Sequence, residues 1–518
     1  IVHHNNKFGV PCGRKRHGRD AILFVVRGND NGNSFHYDDT DMYVLATYLA
    51  LVLLATPLHA TIPIFLLYCM LGVGVFVTLG ADTQKIESSK PTFFVFLIPL
   101  TILATTRLIP FIRYGWSALG ADMGAYYGAW STCFASLTSC AGNPLALAGF
   151  PLYAVGIGTQ AILIAFHLLA TAVIGKGIYV LAKDRFGARA AFWSLMAYAL
   201  SLPQFLFYWS FFLKMEIGMA FSLFAFHAYG LARTRGFVYA ALAGIIHPLT
   251  AVPLALTFIA AGITDNKKAY AFKAAAISVL AMTAFHAKEI IGYATYATDY
   301  AQGTYAPAAS GLLTGHFVGF SFYHDALMLF YIPFALLGIA WCVGKKSIPA
   351  VGWYALVNLA LVSVNAVFHN RFIVLFDISC IVLAGHALAL FEHRQKTALK
   401  KMALFLILAA LTGYSLYQAA RMEPLVNRME FAELTALQGK YGGMPIFINN
   451  ATYRGFVAGY TGHAVIFASF NEEPWKSIET PSLIYNARRS TPIHPESDPY
   501  FTRVSERVLK YTPATLAL

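Results

Sequence analysis

Charge is what this 518-residue sequence has least of. Asp, Glu, Lys and Arg together make up 12% of it, where a soluble domain carries about a quarter, and 58% of the residues are hydrophobic. That shortage excludes a soluble globular protein. Acids are scarcer than bases, 25 against 38, for a formal net charge of +13. The excess does not indicate nucleic acid, because the basic residues fall mainly in short connectors between apolar runs, where they orient a membrane protein. Cysteine is sparse as well. The six cysteines show no C-x-x-C pair and no metal-ligand spacing,. Cys133 and Cys140 share one loop and can pair if that loop faces an oxidising compartment; two free buried thiols suit the spacing equally.

What the sequence has in abundance is long apolar stretches. A helix of about 20 residues crosses a hydrocarbon core roughly 30 Å thick, and such stretches fall at 43–58, 62–80, 91–109, 153–174, 190–207, 212–232, 270–287, 324–343, 349–366, 371–391 and 402–419. Residues 1–41 are polar and patternless. They read as a cytoplasmic tail or as a stretch not native to the chain, and stand apart from the fold. Residues 236–263 are too long for one upright helix, about 42 Å at 1.5 Å per residue, and Pro248 removes a backbone donor near the middle. Reading them as a hairpin that turns at His247-Pro248 puts Lys85, Lys90, residues 176–189, Arg233, Arg235, Lys267, Lys268, Lys273, Lys345, Lys346 and residues 394–401 on one side of the membrane. A single span scatters them, so the positive-inside rule favours the hairpin.

The expected fold is therefore an all-α polytopic membrane domain of about 11–13 transmembrane helices, residues 42–419, followed by a small extracytoplasmic α/β domain, residues 420–518. The opposite face then collects the ionisable groups that are not plain anchors. The loop 110–152 carries Asp122, with no basic residue from Gly115 to Pro151. The turn "YWSFFLKME" carries Lys214, the hairpin tip His247, and the turn "FHNRF" His369 and Arg371. The loop 288–323 is rich in tyrosine and leads into "FYHDA", with His324 and Asp325. A lone loop aspartate is usually just solvated, and a lone Lys or Arg is usually an interfacial anchor. An acid, two cations and histidines gathered beside membrane openings suit a substrate with a lipid tail and a phosphate head.

The stretch "GADMGAYYGAW" resembles, in position and texture, the first long extracytoplasmic loop of the GT-C class of membrane glycosyltransferases. The segments "FFLKMEIG", "ALAGIIHPLTA", "HNRFIVLFDISCIVLAG" and "ATYRGFVAGYTGHAVIF" are also similar to parts of bacterial and archaeal members, so the resemblance covers roughly residues 90–470. It implies a GT-C-like fold, multi-pass in the plasma or inner membrane, with its active face extracytoplasmic. It implies a polyprenyl-phosphate-linked sugar as donor and a glycan, lipid or protein as acceptor. Many members carry a second acid beside the first. Here Met123 and Gly124 follow Asp122, so a divalent metal held by paired carboxylates is not supported, and no cofactor is expected.

The chemistry assigns roles. A base must take the acceptor hydroxyl's proton as the anomeric bond breaks, and Asp122 is the candidate, with inversion following from a single displacement. Fixed cations must hold the departing phosphate: Arg371 by its planar fork, then Lys214. His247, Tyr126, Tyr127, His369 and His324 are expected to contact substrate. Two other readings stay open. One is a transporter or flippase of a lipid-linked sugar, which would favour repeats and polar residues at the bilayer midplane. The other is a lipid-linked glycan polymerase or ligase working with arginines and a histidine base.

Overall fold

The computed structural model describes residues 93–115, 120–140, 143–301, 348–363, 369–394, 398–450, 453–467, 474–477, 480–487 and 500–513, with single positions between 331 and 342. The expected segments at 43–58 and 62–80 lie outside the described residues, as does most of 324–343. Among the described residues, thirteen α-helices with defined bounds precede the C-terminal domain: α1 Phe93–Tyr114, α2 Ala121–Ala135, α3 Pro144–Ala154, α4 Thr159–Phe186, α5 Ala188–Leu200, α6 Leu202–Trp209, α7 Leu213–Gly230, α8 Arg235–Ile246, α9 Pro248–Thr264, α10 Lys268–Ala301, α11 Ala350–Ser363, α12 His369–Arg394 and α13 Ala398–Arg421. Among the described residues four helices are long and apolar enough to cross a membrane. They are Phe96–Tyr114, Thr159–Phe186, Lys268–Lys288 and Arg371–His393, with α5 and α6 making a fifth if the bent pair is one span. The chain is a multi-pass membrane protein. Its central helix is α12, 89% of whose apolar stretch is buried within the protein, against 33% for α1 at the rim.

Two expected segments take a different form. The stretch expected at 153–174 is divided: α3 ends at Ala154, and a separate helix runs from Thr159 to Phe186. Lys176 therefore sits within a helix rather than in a connector. It reaches the Tyr179 ring at 5.7 Å, as Lys183 does at 5.3 Å, so a cationic head on an aliphatic stem is accommodated by an aromatic face. The stretch expected at 190–207 breaks at Ser201, where α5 and α6 meet at 54°. Pro203 offers no N–H to continue α5, and Ser201 Oγ accepts from the Gln204 amide at 3.2 Å, capping α6. Asp377 of α12 holds this break. Its carboxylate accepts from Ser201 Oγ and Gln204 Nε2, each at 2.9 Å, and from the Tyr331 hydroxyl.

The stretch at 236–263 breaks where the sequence places a proline. His247 is extended (φ −156°, ψ 122°), ending α8 and starting α9, whose first residue is Pro248. Proline suits that position because the first N–H groups of a helix have no partner within it.

The described residues of the C-terminal domain include α14 Arg428–Leu437, β1 Ile446–Ile448, α15 Arg454–Thr461, β2 Val465–Phe467, β3 Ser482–Tyr485, β4 Phe501–Arg503 and β5 Val508–Tyr511. The strands form one mixed sheet, ordered β2-β1-β3-β5-β4. β1 runs parallel to β2 and β3, and β5 runs antiparallel to β3 and β4. α14 opens with a capping box: the Asn427 side chain accepts from the Glu430 amide, and the Glu430 carboxylate accepts from the Asn427 amide,.

One apolar core joins this domain to α2. It runs from Met123 and Trp130 through Tyr208 and Phe211 to Phe456, Tyr460 and the inner strand residues Ile446 and Leu483. Glycine makes the junction possible. Gly124 lies against the backbone of Phe456, and a Cβ on Gly128 would stand 2.8 Å from the Cα of Gly459. A side chain at either position would push α2 and α15 apart.

Candidate active site

Gly120, the N-cap of α2, is packed on the backbone of Trp209 and Ser210. This fixes Asp122 in the first turn of the helix, where unpaired N–H groups and the helix dipole favour an anion. Tyr126 follows four residues later and so shares its face. Both side chains line a cavity of about 170 Å³ with Phe212, Lys214, Met215, Ile246, His247, Pro248, His286 and Arg371. Five of the side chains singled out in the sequence (Asp122, Tyr126, Lys214, His247 and Arg371) thus meet in one place, brought there by α2, the start of α7, the α8–α9 hinge and the start of α12.

Lys214 is placed by the short turn between α6 and α7. Its backbone N–H donates to the Tyr126 hydroxyl at 3.3 Å, tying this turn to α2. Arg371 stands in the first turn of α12 with its guanidinium carbon 4.9 Å from the centre of the Phe212 ring, within cation–π range. His247 is 8% exposed, and its Nδ1 has no hydrogen-bond partner among the described residues. Burial holds its pKa well below the usual imidazole value. The charges of Arg371 and Lys214 add to that, then His286, so the ring is neutral at physiological pH. Burial raises the Asp122 carboxyl above the usual carboxylate range, and the Arg371 charge opposes the rise.

His286 was not among the expected site residues. It interrupts α10 with non-helical backbone (φ −123°, ψ 18°), and its Nε2 lies 2.8 Å from the carbonyl of Ile245. A carbonyl only accepts, so Nε2 carries the proton. Nothing in the sequence around it, an apolar run with one histidine, separates this residue from a plain span. Phe212 has the same history: as one of three phenylalanines in "SFFLKMEIGMAF", it becomes distinctive only when Arg371 arrives over it.

Other expected contacts lie elsewhere. Tyr127 turns away from the cavity and stacks on Tyr460 of α15, ring centres 4.4 Å apart. His369 opens α12, but its side chain, like the whole of His324, lies outside the described residues. Cys133 and Cys140 are joined in a disulfide with Cα atoms 4.6 Å apart, closing the end of α2 onto the following turn. Among the described residues no group of three His, Cys, Asp or Glu side chains is arranged to hold a metal ion. A cavity lined by one carboxylate, two cations and two imidazoles offers a divalent ion more repulsion than ligation.

A helical membrane bundle around α12, an acid-bearing helix after the first described span and a C-terminal α/β domain packed on that helix make a GT-C-like fold. The chain is similar to ArnT from Cupriavidus metallidurans in the apo state, with 14% identity and a TM-score of 0.52 over 81% of this chain and 98% of that one. Against ArnT bound to undecaprenyl phosphate the TM-score is 0.47, again at 14% identity. The oligosaccharyltransferase of Archaeoglobus fulgidus in its apo form gives 0.48 at 14% identity over 74% of this chain, which spans 66% of that protein's length. No protein-family profile and no curated protein sequence matches the chain.

Proposed function

We propose that this protein is an integral membrane glycosyltransferase that moves a sugar from a polyprenyl-phosphate donor to an extracytoplasmic acceptor. The observation that carries the reading is the meeting of Asp122, Lys214 and Arg371 in one cavity. The fold supports it, since ArnT, which shares that fold, also binds undecaprenyl phosphate.

The charges suit the chemistry. A sugar joined to a lipid through a single phosphate brings one negative charge. With ionised Asp122, Lys214 and Arg371, the loaded site is neutral. In the reaction the acceptor oxygen attacks the anomeric carbon, the bond from that carbon to the phosphate oxygen breaks, and the acceptor proton passes to Asp122. One negative charge leaves the carboxylate and one appears on the phosphate, so the site is neutral afterwards as well. Arg371 and Lys214 hold the growing charge, and one displacement inverts the anomeric centre. Neutral His247, with a free ring nitrogen, serves as a hydrogen-bonding group for a sugar hydroxyl without competing for the phosphate.

The disulfide supports an extracytoplasmic position for α2, since such bonds persist in oxidising compartments. The one-sided basic connectors agree. The test is incubation of the purified protein with radiolabelled polyprenyl-phosphate sugars and a membrane extract. Transfer of label by the native protein and not by Asp122→Asn is the expected result. Label that moves across a sealed bilayer without changing its chemical attachment would make the protein a transporter instead.

A further inference from the structure

We infer that His167, which lies outside the cavity, is a positioning residue for both phosphate-binding cations; the inference rests on the phosphate reading of Lys214 and Arg371. His167 is fully buried on α4. Its Nε2 lies 2.9 Å from the carbonyl of Tyr208, near the end of α6, and its Nδ1 lies 2.7 Å from the Glu216 carboxylate, in the first turn of α7. Its ring is stacked on Tyr208 at 4.2 Å and lies 4.3 Å from Phe211. One imidazole therefore touches the chain before the α6–α7 turn, within it and after it.

The turn needs such a brace. Phe211 has φ +64°, a left-handed conformation that a residue with a Cβ adopts at a cost. Around it the backbone closes in two tight bonds, Phe211 N–H to the Tyr208 carbonyl at 3.0 Å and Leu213 N–H to the Phe211 carbonyl at 2.9 Å. This turn delivers Phe212, whose ring carries Arg371, and then Lys214 and Met215 to the cavity. A relaxed turn would move both cations together.

The hydrogen-bonding pattern of His167 explains its grip. The Tyr208 carbonyl can only accept, so Nε2 supplies a proton to it. Nδ1 meets the Glu216 carboxylate at 2.7 Å, a close contact outside hydrogen-bond geometry that still sets α4 against the first turn of α7. Arg107 of α1, buried with its guanidinium over the Tyr208 ring at 5.2 Å, adds a compensating charge near Glu216. Phenylalanine fills the same space and can still stack, but has neither contact.

The experiment measures binding of undecaprenyl phosphate in detergent micelles to the native protein and to His167→Phe, His167→Gln, Lys214→Ala, Arg371→Ala and the double variant His167→Phe/Lys214→Ala. Lys214→Ala and His167→Phe should each weaken binding about ten-fold, and the double variant should lose clearly less than the product of the two, because part of the His167 effect runs through Lys214 and the rest through Arg371. His167→Gln, which can still donate to the Tyr208 carbonyl, should recover part of the loss. General damage to the fold would multiply the two effects instead, and that result overturns the inference, as does native binding by His167→Phe. If His167→Phe does not fold, Glu216→Gln takes its place under the same criteria. Should Lys214→Ala and Arg371→Ala both bind as the native protein does, the phosphate reading itself fails and takes the inference with it.

Discussion

Arg371 lies over the ring of Phe212, 4.9 Å from its centre, and this contact joins the α6–α7 turn to α12. Phe212 belongs to the turn that places Lys214, while Arg371 belongs to the central helix α12. The contact keeps one cation of the cavity in register with the other. A guanidinium stacked on an aromatic face still presents its N–H edge to a phosphate.

That edge should matter. Arg371→Lys keeps the charge but loses the fork, and is expected to raise the apparent donor KM and weaken undecaprenyl phosphate binding. Arg371→Ala should do so more strongly, by about ten-fold or more. Lys85→Ala, among the basic connectors, serves as a comparison that leaves both unchanged. A Lys variant with native donor dependence would reduce Arg371 to an interfacial anchor and leave Lys214 as the phosphate ligand.

Asp122→Asn should lower turnover by about 10²–10⁴-fold while binding of undecaprenyl phosphate stays close to native. Two pH effects follow from the raised Asp122 pKa, whose main cause is burial. A base must be ionised, so the acid limb of kcat/KM should lie above the usual carboxylate range. It should shift further up in Arg371→Ala, which removes the opposing charge. Stability should run the other way. A carboxyl whose folded pKa is raised favours the fold while neutral, and that contribution disappears as the pH rises through the folded value. Asp122→Asn should therefore unfold at the same or a higher temperature than the native protein at pH 7, with the gap closing in acid. Thermal unfolding in detergent across pH checks the sign.

The glycine contacts between α2 and α15 make a steric prediction. Gly128→Leu places a side chain where a Cβ alone would stand 2.8 Å from Gly459, and should lower stability by about 1–3 kcal/mol. Turnover should fall as well, because α2 carries Asp122. Gly413→Leu, where the added Cβ meets nothing within 4 Å, should unfold near the native temperature. Equal melting of the two variants would mean that α2 and α15 are not clamped together.

Topology can be read from two exposed positions. α2 packs on α15, so the C-terminal domain and Asp122 share one side of the membrane. Glu506→Cys should react with a membrane-impermeant maleimide in intact cells. Asn266→Cys, in the connector between α9 and α10, should react only after lysis. The reverse pattern places the cavity on the cytoplasmic side and removes the donor proposal.

Much of this was legible in the residues themselves. Scarce charge and long apolar runs announce a membrane bundle, since lipid admits little else. The break at His247-Pro248 follows from one missing backbone donor. Asp122, Lys214 and Arg371 stand out because each is an ionisable group at the edge of an apolar run, on the side where basic connectors are rare. The bend at Ser201 was less legible, because the apolar run continues through it and its stabilising carboxylate, Asp377, comes from a distant helix.

Only the tertiary structure decided which of those residues meet. Tyr126 and Tyr127 are neighbours in the same motif, yet a rotation of about 100° per residue along a helix sends one to the cavity and the other to Tyr460. His286 and Phe212 acquire meaning only from partners far away in the chain. So does His167, an ordinary histidine in an apolar run until the α6–α7 turn folds around it. Periodicity and hydropathy report the solvent that each residue prefers. They do not report which distant side chain will share its space, because that depends on how whole helices pack, and packing is settled by the summed shape of many side chains together.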